Sequence, residues 1–173
     1  MFSKRYITEN IRKDLSKKMV FLGGPRQVGK TTLALGLIKS SNEDHPAYLN
    51  WDTKEGKKSI LKGEFPTHQK VLIMDELHKY KNWRNLLKGY YDSLKSKHSF
   101  LVTGSARLDI YRRDGDSLQG RYFYYRLHPL SLFEVNAACT LKDLHKLLKF
   151  GGFPEPFFAN DEMTKELTKK EML

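Results

Sequence analysis

Gly24, Gly29, Lys30 and Thr31 give the spacing G-x-x-x-x-G-K-T within the stretch FLGGPRQVGKTTLALGLI. An apolar run precedes this spacing and a segment of helical period follows it, which is the strand, loop and helix context that a phosphate-cradling loop requires. Glycine permits positive φ and close backbone approach, so successive N–H groups can turn inward around phosphate oxygens. The helix starting near Lys30 adds its positive dipole end to the same anion. The cradle is expected to run over Gly24, Pro25, Arg26, Gln27, Val28, Gly29, Lys30, Thr31 and Thr32. Lys30 would reach the β- and γ-phosphates, and the Thr31 hydroxyl would hold Mg²⁺, so ATP with Mg²⁺ is the expected ligand.

A second group of residues points to hydrolysis. Val71-Leu72-Ile73-Met74 is an unbroken apolar run ending in Asp75-Glu76, which puts two carboxylates at the carboxyl end of a buried parallel strand, beside the loop. Asp75 would act on the metal through its hydration shell, and Glu76 would polarise the attacking water as general base. Ser99-Phe100-Leu101-Val102 forms another strand, with Thr103-Gly104-Ser105 at its tip. A hydroxyl there, from Thr103 or Ser105, can bond the water or the γ-phosphate and report which nucleotide is bound. Arg121 is the candidate for neutralising charge that builds on the γ-phosphate, with Arg107, Arg112 and Arg113 competing for that role.

These residues need a scaffold of alternating strands and helices. Ile7, Ile11 and Leu15 recur every four residues and predict a short helix on the core, near where the base of a nucleotide would lie. Met19 to Leu22 reads as the first and central strand, and Leu33, Leu37 and Ile38 continue the helix after the loop. A second strand is expected over Ala47–Trp51, and the charged stretch from Lys54 to Lys70 predicts at most a short helix around Ser59–Lys62. Trp83 to Leu94 has the period of an amphipathic helix, Tyr122 to Leu127 reads as a strand, and short helices follow around Leu132 and from Leu141 to Phe150.

The 173 residues suit one α/β domain. No apolar run approaches the ~20 residues of a membrane span, and the N-terminus has no continuous apolar segment of the secretory kind. One cysteine, Cys139, cannot make an internal disulfide, and a cytoplasmic location is expected. The net charge of +11 admits contact with DNA or RNA, although the basic residues are spread along the whole chain.

Taken together, GPRQVGKTTL, VLIMDELHKYKNW, FLVTGSARL, SLQGRYFYYRLHPLSLFE and GGFPEP resemble the AAA+ ATPases of bacteria and archaea whose core is followed by a lid and a C-terminal domain similar to restriction-type nucleases. The resemblance implies a three-layer α/β/α P-loop NTPase with a catalytic glutamate and a five-stranded parallel sheet in the order 5-1-4-3-2. It matches Lys30 and Thr31 to the Walker A pair and Asp75 and Glu76 to the Walker B pair. Thr103 and Ser105 fall at the first sensor, and Arg121 at the arginine finger, which acts on a neighbouring subunit and so implies a homo-oligomer. On this reading residues 1–135 are the ATPase core, and residues 136–173 are a helical segment leading to a lid and C-terminal domain absent from this chain. The function expected is ATP hydrolysis that drives a conformational change in an attached or partner domain. The alternatives are an ATP-gated adaptor with little turnover and a P-loop small-molecule kinase. A helicase, suggested by the D-E-x-H of Asp75 to His78, is set aside because such enzymes need two cores or a ring.

Overall fold

The computed structural model describes residues 5–105 and 118–159. In chain order these form α1 (Thr8–Leu15), β1 (Met19–Gly23), α2 (Lys30–Leu37), β2 (Tyr48–Asn50), α3 (Lys54–Lys62), β3 (Val71–Asp75), α4 (Trp83–Leu94), β4 (Ser99–Thr103), β5 (Tyr122–Arg126), α5 (Leu132–Val135), α6 (Leu141–Phe150) and α7 (Pro154–Ala159). A 3₁₀ turn, Leu77–Lys79, joins β3 to α4. All strand pairs are parallel and the sheet runs β2-β3-β4-β1-β5, which is the order 5-1-4-3-2 read from the other edge. β1 is an inner strand between β4 and β5, so the central place expected for it belongs to β4.

Alternation along the strands builds two cores. Met19, Phe21, Leu72, Met74, Phe100 and Val102 face one layer, where they bury Ile60 of α3 and Trp83 and Leu87 of α4. Val20, Leu22, Ile73 and Leu101 face the other, where Ile7, Ile11 and Leu15 meet Leu33 and Leu37 of α2. Both faces of the sheet are therefore covered, as parallel sheets require. The β5 side chains stay half-exposed apart from the exposed Arg126, in keeping with an outer strand, although Phe21 stacks on Tyr122 with ring centroids 4.2 Å apart.

Three elements differ from their expected bounds. β2 is shorter than Ala47–Trp51, and β5 ends at Arg126, one residue early. α3 is longer than Ser59–Lys62 and fills most of the stretch expected to be irregular. Its ends are written in local chemistry: the Thr53 side chain accepts a hydrogen bond from the Gly56 N–H, and Gly63 closes the helix at φ 68°. α7 begins at Pro154, since proline suits a first helical turn. Between α5 and α6, Cys139 is exposed, with a free thiol and a left-handed φ of 50°. Leu141 and Leu148 of α6 are exposed apolar residues. Among the described residues, no helix is long and apolar enough to cross a membrane. Arg107, Arg112 and Arg113 lie outside the described residues.

Two glycines in helices are used in opposite ways. A Cβ on Gly56 would meet the Asn50 carbonyl at 2.2 Å, because α3 lies directly on β2, whereas a Cβ on the exposed Gly89 of α4 would meet nothing within 4 Å. Gly56→Ala is expected to lower stability by about 1–3 kcal/mol through this backbone clash. Gly89→Ala should raise stability by about 0.5–1 kcal/mol, since helix propensity alone acts there. Urea unfolding of both variants checks the pair.

Candidate functional site

The loop after β1 takes its shape from left-handed backbone at two close positions, Gln27 (φ 58°) and Gly29 (φ 92°). Gly29 is also the N-cap of α2 and makes no side-chain cap bond, so the first N–H groups of the helix are directed at the loop. Gly24 lies against the backbone beyond β5, where a Cβ would meet the Leu127 carbonyl at 2.5 Å. Val28 is fully buried in the core, while Arg26 and Gln27 are exposed. Lys30 is buried, and its Nζ donates to the carbonyls of Gly24 at 3.1 Å and Pro25 at 2.6 Å. Burial lowers its pKa, against the opposing pull of Glu76 and Asp75.

Asp75 joins the strand tips to the loop. Its Oδ2 accepts from the Tyr48 hydroxyl at 2.6 Å and from Thr31 Oγ1 at 3.3 Å. Its Oδ1 accepts from Thr103 Oγ1 at 2.5 Å and from the Glu76 N–H at 3.0 Å. Parallel register produces these contacts, since Asp75 pairs with Asn50 of β2 on one side and with Thr103 of β4 on the other. Burial, then the bond to Asp75, pushes the Tyr48 hydroxyl well above its ordinary pKa, so it stays a proton donor. Tyr48 is absent from the residues expected from sequence, because nothing in an isolated strand shows which neighbour its hydroxyl meets.

Glu76 leaves the strand in a left-handed conformation, φ 55°. Such a conformation costs a residue with a Cβ about 1–2 kcal/mol and persists where the surroundings enforce it. Here the Glu76 N–H donates to the Thr103 carbonyl at 3.0 Å. The turn swings the carboxylate toward Lys79 Nζ at 3.4 Å and His78 Nε2 at 3.7 Å. Ser105 Oγ lies 3.3 Å from His78 Nε2. The two hydroxyls left open by the sequence are thus distinguished: Thr103 is fully buried and bonded to Asp75, whereas Ser105 lies on the Glu76 side beside His78. His78 carried a signal in the D-E-x-H pattern; Lys79 carried none.

Arg121 stands apart from this group. Its carbonyl accepts from Met19 N–H, placing it at the start of β1, whereas the loop leaves the end of that strand. Five strand residues separate the two ends, roughly 15 Å. Its guanidinium engages Asp92 of α4 through Nε at 3.0 Å and Nη2 at 3.4 Å.

A cleft of about 540 Å³ opens beside the loop, lined by Thr31 and Thr32 of α2, Thr8 and Arg12 of α1, Arg5, and Pro154 of α7. α1 packs on the core through Ile7, Ile11 and Leu15, as expected. Arg5 fastens this side: its Nη1 donates to the Val28 carbonyl of the loop at 2.8 Å, its Nη2 to the His128 carbonyl, and its Nε to Glu134 of α5 at 2.8 Å. Burial alone would raise the Glu134 pKa; the bonds from Arg5, Ser131 and Tyr6 outweigh it and hold the carboxyl below its ordinary 4.5. A carboxyl lowered in the folded state contributes stability above its unfolded pKa and loses it as pH falls through the folded value. Glu134→Gln should therefore cost about 3 kcal/mol at neutral pH, as breaking a buried pair does, and the gap to the unsubstituted chain should narrow below the ordinary carboxyl range. Urea unfolding at pH 7 and at pH 3.5, roughly one unit below that range, checks it.

The family model of the AAA domain matches residues 16–136. The uncharacterized protein MJ1544 of Methanocaldococcus jannaschii is 26% identical over 182 aligned residues, covering 92% of this chain, which spans 41% of that relative's length. Among solved structures, the Thermotoga maritima RuvB Holliday junction branch migration motor superposes with a TM-score of 0.50 at 20% identity, covering 93% of this chain and 61% of its own. The S. cerevisiae Hsp104–ADP complex gives 0.52 at 15% identity, covering 95% and 32%. These two share the fold, and the family match spans most of the chain: it belongs to the AAA-domain family of P-loop proteins.

Proposed function

We propose that this chain binds ATP with Mg²⁺ and hydrolyses it to ADP and phosphate, and that the nucleotide state moves an attached or partner domain. The observation that carries the reading is the meeting of Thr31 and Asp75, 3.3 Å apart, with Glu76 beginning the turn just beyond. A loop alone binds phosphate; a carboxylate pair at the tip of β3 supplies hydrolysis.

The residues divide the work as follows. The N–H groups of Gly24 to Thr32 and the start of α2 hold the phosphates, and Lys30 exchanges its carbonyl partners for phosphate oxygens. Thr31 and Asp75 are hard oxygen donors of the kind Mg²⁺ takes, with Asp75 acting through the ion's water shell. The ion when bound offsets charge on the phosphate oxygens. Glu76 accepts a proton from the attacking water as that oxygen bonds to the γ-phosphorus and the bridging bond to ADP breaks. Thr103 fixes Asp75, leaving Ser105 to follow the γ-phosphate. Arg121, on the far end of the sheet from its own loop, can serve only the site of a second subunit, so a homo-oligomer is part of the proposal. DNA or RNA as a partner rests on the net charge of +11. An ATP-gated adaptor with slow turnover has one observation in its favour, the ion pair that occupies the Glu76 carboxylate.

Phosphate release measured across protein concentrations tests these roles. Lys30→Ala should abolish it, and Glu76→Gln should bind ATP while slowing release by about 10²-fold or more. Arg121→Ala should be inactive alone, and mixing it with Glu76→Gln should restore part of the rate, since each supplies what the other lacks. A Lys30→Ala chain that hydrolyses ATP at the unmodified rate overturns the site.

A further inference from the structure

The catalytic side of the β3 tip is tied to a basic helix through contacts that hydrolysis does not use. Lys79 Nζ lies 3.4 Å from Glu76 and 2.5 Å from Asp52, two residues past the end of β2. Thr53, the N-cap of α3, comes next, so β2, Asp52 and α3 form one continuous corner. The corner is packed as well: Trp51 stacks on Tyr80 with centroids 4.9 Å apart, and Lys57 of α3 lies 5.1 Å over the Trp51 ring. Gly56 and Ile60 bury the inner side of α3. Its outer side presents Lys54, Lys57, Lys58 and Lys62, with Glu55 the one acidic residue of the helix. Glu64, just past the end, takes Lys62 at 3.5 Å, with both side chains more than half exposed.

We propose that the outer face of α3 docks the phosphate backbone of a nucleic-acid duplex, and that docking draws Lys79 away from Glu76 and releases the general base. This rests on the reading of Glu76 as that base. Lys54 to Lys62 spans about 12 Å of helix. Phosphates recur every ~3.4 Å of axis along one strand, so the face meets about three of them. The helix carries no aromatic residue, and the Trp51 ring under Lys57 is stacked on Tyr80. The surface therefore suits phosphates and lacks the stacking platform that single strands use. Lys79 is 44% exposed, and the hydrogen bond it donates to Asp52 leads the causes that raise its pKa, so it stays a full cation able to follow an arriving anion. An ion pair that open to water exchanges easily. While Lys79 pairs with the Glu76 carboxylate at 3.4 Å, that oxygen is held in the ion pair and not on a water; when phosphates compete for the ammonium, the oxygen is released.

The test uses the full chain, a fluorescently labelled 20-base-pair DNA duplex, anisotropy for binding and phosphate release for turnover. Binding is expected to weaken roughly forty-fold between 50 and 200 mM salt, as three phosphate contacts dictate. The duplex should raise phosphate release several-fold at the lower salt. Replacing Lys54, Lys57 and Lys58 together by Gln should keep the basal rate and lose both binding and stimulation. Lys79→Gln should raise the basal rate toward the stimulated one, respond no further to duplex, and still bind it within about threefold. An RNA duplex that acts like DNA supports backbone recognition. Undiminished duplex binding by the triple variant, tighter binding of single-stranded DNA, or equal stimulation by polyglutamate overturns the docking surface. A Lys79→Gln chain with unchanged basal rate and full stimulation overturns the coupling. If the unsubstituted chain releases no phosphate under any condition, the hydrolysis reading fails, while binding lost only in the triple variant still supports the surface.

Discussion

One carboxylate organises the working end of this protein. Asp75 is buried at the end of β3 and accepts hydrogen bonds from β2, β4, α2 and the backbone of its own turn. A charge at that depth would be costly without such partners, and its partners come from chain segments far apart in sequence. The condition is met by register: Asn50, Asp75 and Thr103 lie abreast, and a slip of one residue in either pairing would send the partner side chains to the opposite face. The apolar alternation that fills the two cores is therefore also what sets the hydroxyls around the carboxylate. Packing and chemistry are one constraint here.

Much of this was legible because it is local. The β1–loop–α2 unit places its spacing, strand and helix within twenty consecutive residues, roughly the scale on which pattern reading works. β3 announced itself by an apolar run that ends in two acids. α3 was legible only in its last turn, around Ser59–Lys62, because its apolar content is small and its lysines read as a surface connection. Its start and stop lay in Thr53 and Gly63, and Gly56 is its point of contact with β2. The parts of the site that escaped detection belong to other strands or depend on backbone conformation. Tyr48 needs the β2–β3 pairing before its hydroxyl has an address, and Lys79 meets the Glu76 carboxylate only because Glu76 turns left-handed.

Distances along the sheet also separate two kinds of residue that sequence treats alike. Thr103 and Arg121 both flank strands and both carry polar groups that suit a nucleotide. The parallel pairing puts Thr103 beside Leu22, at the loop end of β1, and Arg121 before Tyr122, beside Met19 at its start. Only topology tells them apart, since strand direction decides which end of a strand shares a surface with the loop.

The left-handed turn at Cys139 sits between α5, whose Glu134 holds Arg5 against the loop, and the segment that brings Pro154 to the cleft. It carries the sole thiol of the chain, and that thiol is exposed. The molecule thereby supplies its own attachment point for a dye or spin label, at the joint where any swing of α6 and α7 relative to the sheet would register as a change in distance.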